Sequence, residues 1–370
     1  MKSVSLVALA IVGIGWFGYP AVVALLARWR SRLPASNGQP NRTVSVVIAT
    51  RDEPEVVSRR VTNILETDYP RDHLQVVVAV DPTSSYAVER YRVLLGDKTR
   101  VVVGHDPGGK AATLNAGVEA AIGQLLVFAD SQQTFAPDAI PRLVRYLDDE
   151  RFGAVSGGYD SASEGTETTV LGLFWKLELV LRRGEAVLHS IVAVTGAIYC
   201  MRRSLWTPLP PHLICDDLFV PLEVVRKGYR VGFCQEARAH DPRHFTKREE
   251  FRRKVRTLTG MLQLCVWRPG ILLPWKNPIW IQFVCHKLLR VATPYLLIIG
   301  AVGLVGWLGG MPKYWMLVGG LLGLLGALVF RVLKPTLAKR LGSQMTWAVK
   351  LQGAPIQATL NALRGRWDVW

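Results

Sequence analysis

Three uncharged apolar segments dominate the hydrophobic pattern of the chain, at residues 4–27, 291–312 and 314–330. Because an α-helix rises about 1.5 Å per residue, the first two are long enough to cross the roughly 30 Å hydrocarbon core of a bilayer, and the third is near the lower limit. The pattern therefore predicts three transmembrane helices, one in region 1–30 and two in region 291–333.

A cleaved signal peptide is the alternative interpretation of the first segment, since it also begins with a lysine followed by an apolar run. The segment is too long for that, and it contains Trp16, Tyr19 and Pro20, so an uncleaved anchor is favoured. Basic residues that flank a span stay in the cytoplasm. They surround the three segments: Arg28, Arg30, Arg32, Lys287, Arg290, Arg331, Lys334, Lys339 and Arg340. We therefore expect a multi-pass protein of the inner (plasma) membrane, with its amino terminus outside and residues 28–290 in the cytoplasm.

Short runs rich in β-branched residues alternate with helical stretches between the first two apolar segments. The runs cover 43–50, 74–81, 100–104 and 124–130, and the helical stretches cover 54–66, 84–95, 110–122 and 137–150. Such runs are typical of buried parallel strands. The alternation predicts an α/β domain at 41–245, with a mostly parallel sheet and ligands at the carboxyl ends of its strands.

Helical patterns continue beyond the alternating region. We predict helices at about 169–189 and 216–227, and then, within region 246–290, a basic amphipathic helix at 247–266 whose apolar face holds positions 251, 255, 258, 262 and 266. Basic amphipathic helices beside a span usually lie in the membrane interface. A second interfacial piece is expected at 271–288. The tail 334–370 carries Trp347, Trp367 and Trp370 and is expected to return to the headgroup level.

The composition agrees with a membrane protein, with 49% hydrophobic residues and a net charge of +16 from 45 Lys and Arg against 29 Asp and Glu. This charge suits anionic lipid headgroups and nucleotide phosphates. Nucleic acid would be attracted as well, but the apolar segments favour the membrane surface, and we expect no nucleic-acid partner. Five cysteines without metal-ligand spacing predict neither a zinc site nor a disulfide in a reducing compartment.

Acidic residues follow three of the four predicted strands: Asp52 with Glu53, Asp81, and Asp130. Asp81 could face a base or ribose, or it could cap the helix expected at 84–95. Asp130 ends an otherwise apolar strand, where an uncompensated carboxylate would be costly, so a cation or hydrogen-bond donors are expected beside it. Lys110 follows a glycine pair, an arrangement that lets the backbone approach a phosphate while the ammonium group neutralises it.

Two pairs of charged residues are further candidates. Asp216 and Asp217 start a predicted helix, where they either favour its dipole or supply a general base for a hydroxyl group. Arg253 and Arg256 share one face of the amphipathic helix, where they either face lipid or clamp a pyrophosphate leaving group.

The order of these motifs resembles the membrane-integrated members of glycosyltransferase family two, which include cellulose, hyaluronan and chitin synthases. The likeness runs from about Thr43 to Leu264. Five segments carry it: VSVVIATRDEP (44–54), GGKAATLNAG (108–117), FADSQQTFAPDAI (128–140), TGAIYCMRRSLW (195–206) and CDDLFVPLEVVRKGYRVGF (215–233). They are similar, in turn, to the uridine-holding strand and loop, the Gly-Lys-Ala helix start, the DxD strand, the acceptor-side strand and the segment that supplies the catalytic base.

The resemblance implies a GT-A-like fold and an inverting transfer from a nucleotide diphosphate sugar, with a UDP-sugar as the expected donor. Asp217 takes the position of the catalytic base. The implied donor-binding residues are Asp52, Glu53, Asp81, Lys110, Asp130, Arg253 and Arg256, and the implied acceptor-binding residues are Thr195, Gly196, Asp216 and Thr257. Asp130 would hold Mg²⁺ or Mn²⁺, with Gln132 as a second ligand.

Two positions depart from the family's pattern. Gln132 stands where the DxD motif usually has a second carboxylate or an asparagine, so a negative charge is lost while an oxygen ligand remains. In the family's QxxRW motif, Arg256 keeps the arginine, but Arg253 replaces the glutamine and Thr257 replaces the tryptophan. The loss of that aromatic platform weakens the expectation of processive synthesis.

We expect the product to be a membrane-bound or exported glycan, with a glycolipid as the close alternative. Three spans offer little material for a sealed polysaccharide channel, so export subunits or further copies of the chain would have to complete one. A non-catalytic membrane scaffold that binds nucleotide is the alternative of another class, and Gln132 and Thr257 are the residues that suggest it.

Overall fold

A computed structural model describes residues 2–29, 42–161, 170–308, 325 and 335–367 of the chain. The third predicted transmembrane helix, at 314–330, lies outside the described residues except for residue 325, and it stays a prediction. Part of the flanking sequence also lies outside them, including Arg30, Arg32, Arg331, Lys334 and Trp370.

The described residues form one mixed sheet of eight strands, in the order β3-β2-β1-β4-β7-β6-β8-β5. The strands are β1 (Val44–Thr50), β2 (Leu74–Val80), β3 (Thr99–Val103), β4 (Leu125–Ala129), β5 (Thr134–Phe135), β6 (Phe152–Ser161), β7 (Ile198–Arg202) and β8 (Arg230–Asp241). Strands β1 to β4 pair in parallel, as predicted. The other half of the sheet is mixed, since β6 pairs with β8 in parallel, whereas β7 runs antiparallel to β4 and β6, and β5 antiparallel to β8. A hydrophobic run identifies a strand but carries no information about its direction.

Helices cover both faces of this sheet and extend beyond it. They are α1 (Lys2–Gly13), α2 (Tyr19–Trp29), α3 (Pro54–Leu65), α4 (Val88–Leu95), α5 (Lys110–Glu119), α6 (Ala139–Tyr146), α7 (Val170–Leu188), α8 (Asp216–Arg226), α9 (Lys247–Trp267), α10 (Trp280–Gln282), α11 (Leu289–Leu308), α12 (Pro335–Leu351) and α13 (Gly353–Leu363). Two π-helical turns, Ile14–Gly18 and Phe283–Leu288, join α1 to α2 and α10 to α11. The predicted helices of the sheet domain are all present, with ends that differ by a few residues.

The core consists of two apolar layers, one on each face of the sheet. Alternation along β1 shows the division, because Val46 and Ile48 belong to the layer under α3, α4 and α6, whereas Val47 belongs to the layer under α5 and α8. The second layer continues into α9 and reaches Phe283 and Val291. The sheet domain and the start of the second apolar helix therefore share one hydrophobic core.

Two helical stretches, Ser3–Trp29 and Trp280–Trp307, are long and apolar enough to cross a membrane, by the criteria of length and composition alone. They pack closely, since a Cβ atom on Gly300 would lie 2.7 Å from Leu9 Cδ2. The first stretch also packs on α7, where a Cβ atom on Gly184 would lie 2.3 Å from Val23 Cγ1. At Gly184 the main-chain oxygen of Val23 would also lie 3.2 Å from the added Cβ atom, so the close packing there requires glycine, whereas at Gly300 the contact is with the end of the Leu9 side chain.

The second apolar stretch begins earlier than the sequence pattern indicates. Helical structure starts at Trp280, so Lys287 and Arg290 lie inside the stretch and not before it. The interfacial helix expected at 271–288 is not formed as one unit. Residues 269–272 make a single 3₁₀ turn, and the chain then enters the apolar stretch.

Helix α9 spans almost the predicted range, but its buried face differs from the predicted one. Val255 is buried, whereas Val266 is exposed and Gln263 is completely buried. The Gln263 side chain accepts a hydrogen bond from the Ile214 amide at 3.0 Å and donates one to the His212 carbonyl at 3.0 Å. These bonds fix the turn before α8. Gln263 is therefore buried because of its hydrogen bonds, and a pattern of apolar residues does not predict its burial.

Candidate active site

Lys110 lies at the centre of a cleft at the carboxyl edge of the parallel strands. Its Nζ is 3.4 Å from Asp130 Oδ1, at the end of β4, and 3.4 Å from Asp216 Oδ2, at the start of α8. A Cβ atom on Gly196 would lie 3.4 Å from the same nitrogen. One ammonium group thus brings together residues from α5, β4, α8 and the segment before β7.

The electrostatic environment of Lys110 keeps it charged. Burial acts against the ammonium form, but the carboxylates of Asp130, Asp216 and Asp217 raise its pKa above the ordinary lysine value. These contacts of 3.4 Å are longer than the 2.7–2.9 Å usual for charge-assisted hydrogen bonds. The ammonium group is therefore close to three carboxylates without being tightly bound to one.

Asp217 is half-buried beside Asp216, which is buried. Burial and the neighbouring Asp216 charge raise the pKa of the Asp217 carboxyl to about 6, while Lys110, Lys287 and Arg182 oppose the shift. The described residues make no hydrogen bond to this carboxylate; only the main-chain oxygen is engaged, accepting from the Val194 amide at 2.9 Å. Asp217 is thus the carboxyl group best placed to accept a proton near neutral pH.

Asp81 is turned toward its own loop. One carboxylate oxygen accepts from the Thr83 amide at 2.8 Å and from the Thr83 hydroxyl at 2.7 Å, and the other accepts from the Gly109 amide at 2.8 Å. Gly109 has φ +86, in the left-handed region that favours glycine. Asp81 therefore fixes the loop that presents Lys110. The alternative of a helix cap is wrong, because α4 begins at Val88 and follows Ala87.

Asp52 and Gln132 are bonded to each other. The Asp52 carboxylate accepts from the Gln132 side-chain amide at 2.8 Å and from the Ser131 hydroxyl. This contact uses the NH₂ group of Gln132, and its side-chain carbonyl oxygen, which accepts no hydrogen bond from the described residues, is the atom that would bind a cation. Glu53 is exposed just before α3, at the edge of the same region.

The residues of this cleft offer few ligands for a divalent cation. The Asp130 side chain is 38% exposed, so it is accessible to an ion. No cluster of three or more His, Cys, Asp or Glu side chains suited to a metal occurs in the described part of the chain. Asp130 and the Gln132 carbonyl fit only a cation that takes most of its ligands from a diphosphate and water, as Mg²⁺ and Mn²⁺ commonly do.

Arg60 is a buried cation beneath this cleft that the sequence analysis missed. Its Nε donates to the Asp130 carbonyl at 3.1 Å, and its guanidinium lies 3.9 Å from the Phe135 ring centroid. Burial lowers its pKa to about 9, and the Asp130 charge opposes the shift. The signal was present in the sequence, since Arg60 lies on the apolar face of α3 with Val57, Val61 and Ile64.

Arg182 was also missed, and it connects the acceptor side of the cleft to the apolar helices. Its Nη1 donates to the Thr195 hydroxyl at 2.8 Å, and its Nε is 3.6 Å from Glu178 Oε1. The Thr195 amide in turn donates to Ser156 Oγ at 2.8 Å. Thr195 is thus held from two sides, and Arg182 lies between it and Glu178.

Glu178 belongs to a buried ionic cluster, which we define as Tyr19, Glu178, Glu185, His286 and Arg290. His286 lies between the carboxylates, 3.0 Å from Glu178 Oε2 and 3.0 Å from Glu185 Oε1. Arg290 Nη1 donates to Glu178 Oε2 at 2.7 Å, and the Tyr19 hydroxyl donates to Glu185 Oε1 at 2.7 Å. The cluster ties α7 to both apolar helical stretches.

The predicted arginine pair on α9 separates into two environments. The Arg253 guanidinium lies 4.1 Å from the Phe245 ring centroid, just beyond β8. Arg256 is half-buried, and its charge acts on Cys215 at the start of α8. Thr257 is exposed, and its hydroxyl donates to the Arg253 carbonyl at 3.0 Å. Arg256 therefore lies close enough to the start of α8 to act on Cys215, whereas the Arg253 guanidinium lies against the Phe245 ring.

Comparison with known proteins agrees with the mixed α/β sheet and with the order of the cleft residues. The model of the family "Glycosyltransferase like family 2" matches residues 40–260. The chain belongs to glycosyltransferase family 2. The narrower likeness to polysaccharide synthases is not decided by this match.

The curated relatives of the chain are distant in sequence. The chain is 24% identical over 236 residues to a probable glycosyltransferase of Bacillus subtilis, covering 59% of this chain and 54% of that one. It is 28% identical over 164 residues to an O-antigen chain rhamnosyltransferase of Salmonella typhimurium, covering 42% and 50%. The chain thus spans about half the length of these curated relatives.

One solved structure is similar along almost the whole chain. It is a mannosyltransferase from Pyrobaculum calidifontis in complex with GDP-Man and Mn²⁺, with a TM-score of 0.71 and 21% identity. The similarity covers 97% of this chain and 99% of that one. At this identity the likeness shows the GT-A-like fold.

Proposed function

We propose that this chain is a membrane-bound, inverting glycosyltransferase that moves a sugar from a nucleotide diphosphate sugar to a hydroxyl group of a growing glycan. The observation that carries the proposal is the placement of Lys110 beside Asp130 and Asp216, with the raised-pKa carboxyl of Asp217 next to them. A diphosphate leaving group requires a cation beside it, and an acceptor hydroxyl requires a general base. The cleft offers both.

On the donor side, Lys110 and Arg256 would hold the diphosphate, while Asp52, Glu53 and Asp81 would line the nucleoside region, with Asp81 acting through the loop it fixes. Asp130 and the Gln132 carbonyl would hold Mg²⁺ or Mn²⁺ together with the diphosphate. When bound, such an ion stabilises the negative charge that develops on the leaving diphosphate. Arg253 would contribute only after moving away from Phe245.

On the acceptor side, Asp217 would accept the proton of the acceptor hydroxyl as its oxygen attacks the anomeric carbon. The bond from that carbon to the diphosphate breaks in the same displacement, so the anomeric configuration inverts. Asp216 would stay paired with Lys110, and Thr195, Gly196 and Thr257 would border the acceptor. Arg182, which donates a hydrogen bond to Thr195, would set the width of the cleft on the acceptor side.

The membrane location rests on the two long apolar stretches and on the basic residues that flank them. We place the protein in the inner membrane as a multi-pass protein, with its amino terminus outside and the cleft in the cytoplasm. Export subunits or further copies of the chain would complete a channel if the product is a long polysaccharide.

Transfer to a lipid acceptor is the second candidate, and a specific contact favours it. The apolar helices pack directly on α7, whose Arg182 borders the cleft, so a lipid in the membrane would have a short path to Asp217. The non-catalytic scaffold is the third candidate, and it rests on the departures at Gln132 and Thr257.

The deciding experiment incubates membranes that contain the chain with labelled UDP-sugars and GDP-mannose, each with Mg²⁺, Mn²⁺ or a chelator. A ladder of long products supports a synthase, and a single lipid-soluble adduct supports the lipid acceptor. Complete absence of donor hydrolysis and transfer across this panel, in membranes where the protein is folded, would leave only the scaffold.

A further inference from the structure

The main chain of Asp217 is held by the segment that precedes β7. The Val194 amide donates to the Asp217 carbonyl at 2.9 Å, and the Val194 side chain is buried in the core. The next residue, Thr195, begins a tight turn in which the Ile198 amide donates to the Thr195 carbonyl at 2.9 Å. The position of Asp217 at the start of α8 therefore depends on the position of residues 194 and 195.

Arg182, on α7, contacts this segment through its side chain. Its Nη1 donates to the Thr195 hydroxyl at 2.8 Å, and its guanidinium lies 5.7 Å from the ring centroid of Phe233 on β8. The Arg182 side chain is only 17% exposed. Because long side chains lose much of their rotamer freedom when they are buried, Arg182 presents a fixed donor to Thr195. A contact from α7 thus reaches Asp217 through two successive residues of one short segment.

The nearest carboxylate neutralises the charge of Arg182 only in part. Arg182 Nε is 3.6 Å from Glu178 Oε1, whereas Glu178 lies 2.7 Å from Arg290 Nη1 and 3.0 Å from His286 Nε2. Attraction between charges weakens with distance, so the shorter contacts neutralise Glu178 first. The hydrogen bond of Arg182 to Thr195 goes to a neutral hydroxyl group. The positive charge of Arg182 therefore still acts on the cleft.

Arg182 is one of three cations that act on the Asp217 carboxyl group. Burial and the Asp216 charge raise the pKa of Asp217 to about 6, and Lys110, Lys287 and Arg182 oppose that shift. Burial raises the pKa of two further titratable groups beside it, which stay neutral: Tyr199 on β7 and Cys215. Arg182 thus favours the ionised form that a general base requires.

We propose that Arg182 is a positioning residue for Asp217, which it holds through Thr195 and stabilises by its charge. This inference rests on the proposed function, in which Asp217 is the general base. Glu178 in turn contacts Arg182, so the buried ionic cluster that joins the apolar helices also contributes to the geometry of the cleft. A residue that only packed α7 against the sheet would affect folding, but it would not change the pH at which the base ionises.

The test compares three variants of the full chain: Arg182→Gln, Arg182→Lys and, as the matched control, Arg183→Gln. Arg183 is the adjacent residue of α7 and is exposed. In membranes, the rate at saturating donor and the donor KM are measured as a function of pH, with the labelled UDP-sugar or GDP-mannose that the unmodified chain turns over. In purified protein, hydrogen–deuterium exchange of residues 192–197 reports how firmly the segment is held.

We expect Arg182→Gln to lower the rate at saturating donor about tenfold, to leave the donor KM within about twofold, and to move the midpoint of the acid limb up by roughly 0.5–1 pH unit. Arg182→Lys should keep the midpoint but still lose part of the rate, because lysine does not reproduce the geometry of the guanidinium. Arg183→Gln should match the unmodified chain. An unshifted midpoint in Arg182→Gln, the same shift in Arg183→Gln, or a full rate in Arg182→Lys would each overturn the proposal.

The exchange measurement separates this inference from the proposed function. If the unmodified chain transfers no sugar, the proposed function fails, while faster exchange at 192–197 in Arg182→Gln than in Arg183→Gln would still show that Arg182 holds the segment. Equal exchange in those two variants would overturn this inference as well. If Arg182→Gln does not fold, Arg182→Lys is compared with Arg183→Gln in the same way.

Discussion

The cleft around Lys110 and the buried ionic cluster around Glu178 both contain acidic and basic side chains, but the distances between the charged groups differ. In the cluster, Glu178 and Glu185 both contact His286 at about 3 Å, and Glu178 also accepts from Arg290 at 2.7 Å. In the cleft, Lys110 stands 3.4 Å from two carboxylates, and the Asp217 carboxylate accepts no hydrogen bond from the described residues. The short contacts of the cluster hold helices together, while Nε and Nη2 of Arg290 have no partner among the described residues, and the longer contacts of the cleft leave its charged groups accessible to a ligand.

The largest expected effect concerns the catalytic activity of the cleft. Asp217→Asn should lower the rate of transfer about a thousandfold, because a positioned general base contributes roughly 10²–10⁴. The measurement is kcat with a labelled donor in purified protein, alongside donor binding, which should change little. Glu223→Gln, on the same helix α8, is the control and should keep its activity. Full activity in Asp217→Asn would exclude the assigned base.

The second prediction tests the cluster by stability. Glu178→Gln should lower the free energy of unfolding by about 3–5 kcal/mol, because it leaves the buried charges of Arg290 and its neighbours without a counterion. Thermal unfolding in detergent measures the loss. Glu89→Gln, which breaks the exposed pair with Arg92, should change stability by less than about 1 kcal/mol. Equal shifts in the two variants would show that the cluster is not a structural unit.

The third prediction concerns the pH dependence of activity. Asp217 acts as a base only when deprotonated, and its pKa is raised to about 6. We expect kcat/KM to rise about tenfold per pH unit below that value and to level off above it. A profile that is flat between pH 5 and 7 would contradict the raised pKa, and Asp217→Asn should remove the dependence.

The smallest expected effect is on the pH dependence of stability, which has opposite signs in the cleft and in the cluster. Burial and Asp216 raise the Asp217 pKa above its unfolded value, so this group's contribution to stability declines as pH rises from about 4 to 6. Burial acts in the same direction on Glu178, but His286, Lys287 and Arg290 hold its pKa well below the ordinary value, so its contribution is lost as pH falls through the acid range.

Asp217→Asn should therefore raise the melting temperature at pH 7.5, by about 1–2 °C for a gain near 1 kcal/mol in a chain of this length. Glu178→Gln should lower it at the same pH. A melting temperature that falls in both variants would show that the Asp217 carboxylate is not held at a cost in the folded chain.

The sequence predicts those parts of the cleft that depend on a local residue pattern. The four parallel strands are continuous apolar runs, and Lys110 and Asp130 follow a glycine pair and a buried strand. Arg182 and Glu178 could not be found this way, because their partners His286 and Thr195 are distant in the chain and no periodicity links them. The antiparallel direction of β7 and the burial of Gln263 also depend on tertiary contacts alone.

The close approach of Val23 to Gly184 has a consequence for how an acceptor reaches the cleft. With no room for even a methyl group between them, α2 and α7 cannot slide past each other without separating. The first apolar stretch and the helix that bears Arg182 are therefore packed without a gap. In the proposed membrane location, this contact would set the height of the cleft above the bilayer, and with it the depth at which an acceptor presents its hydroxyl group.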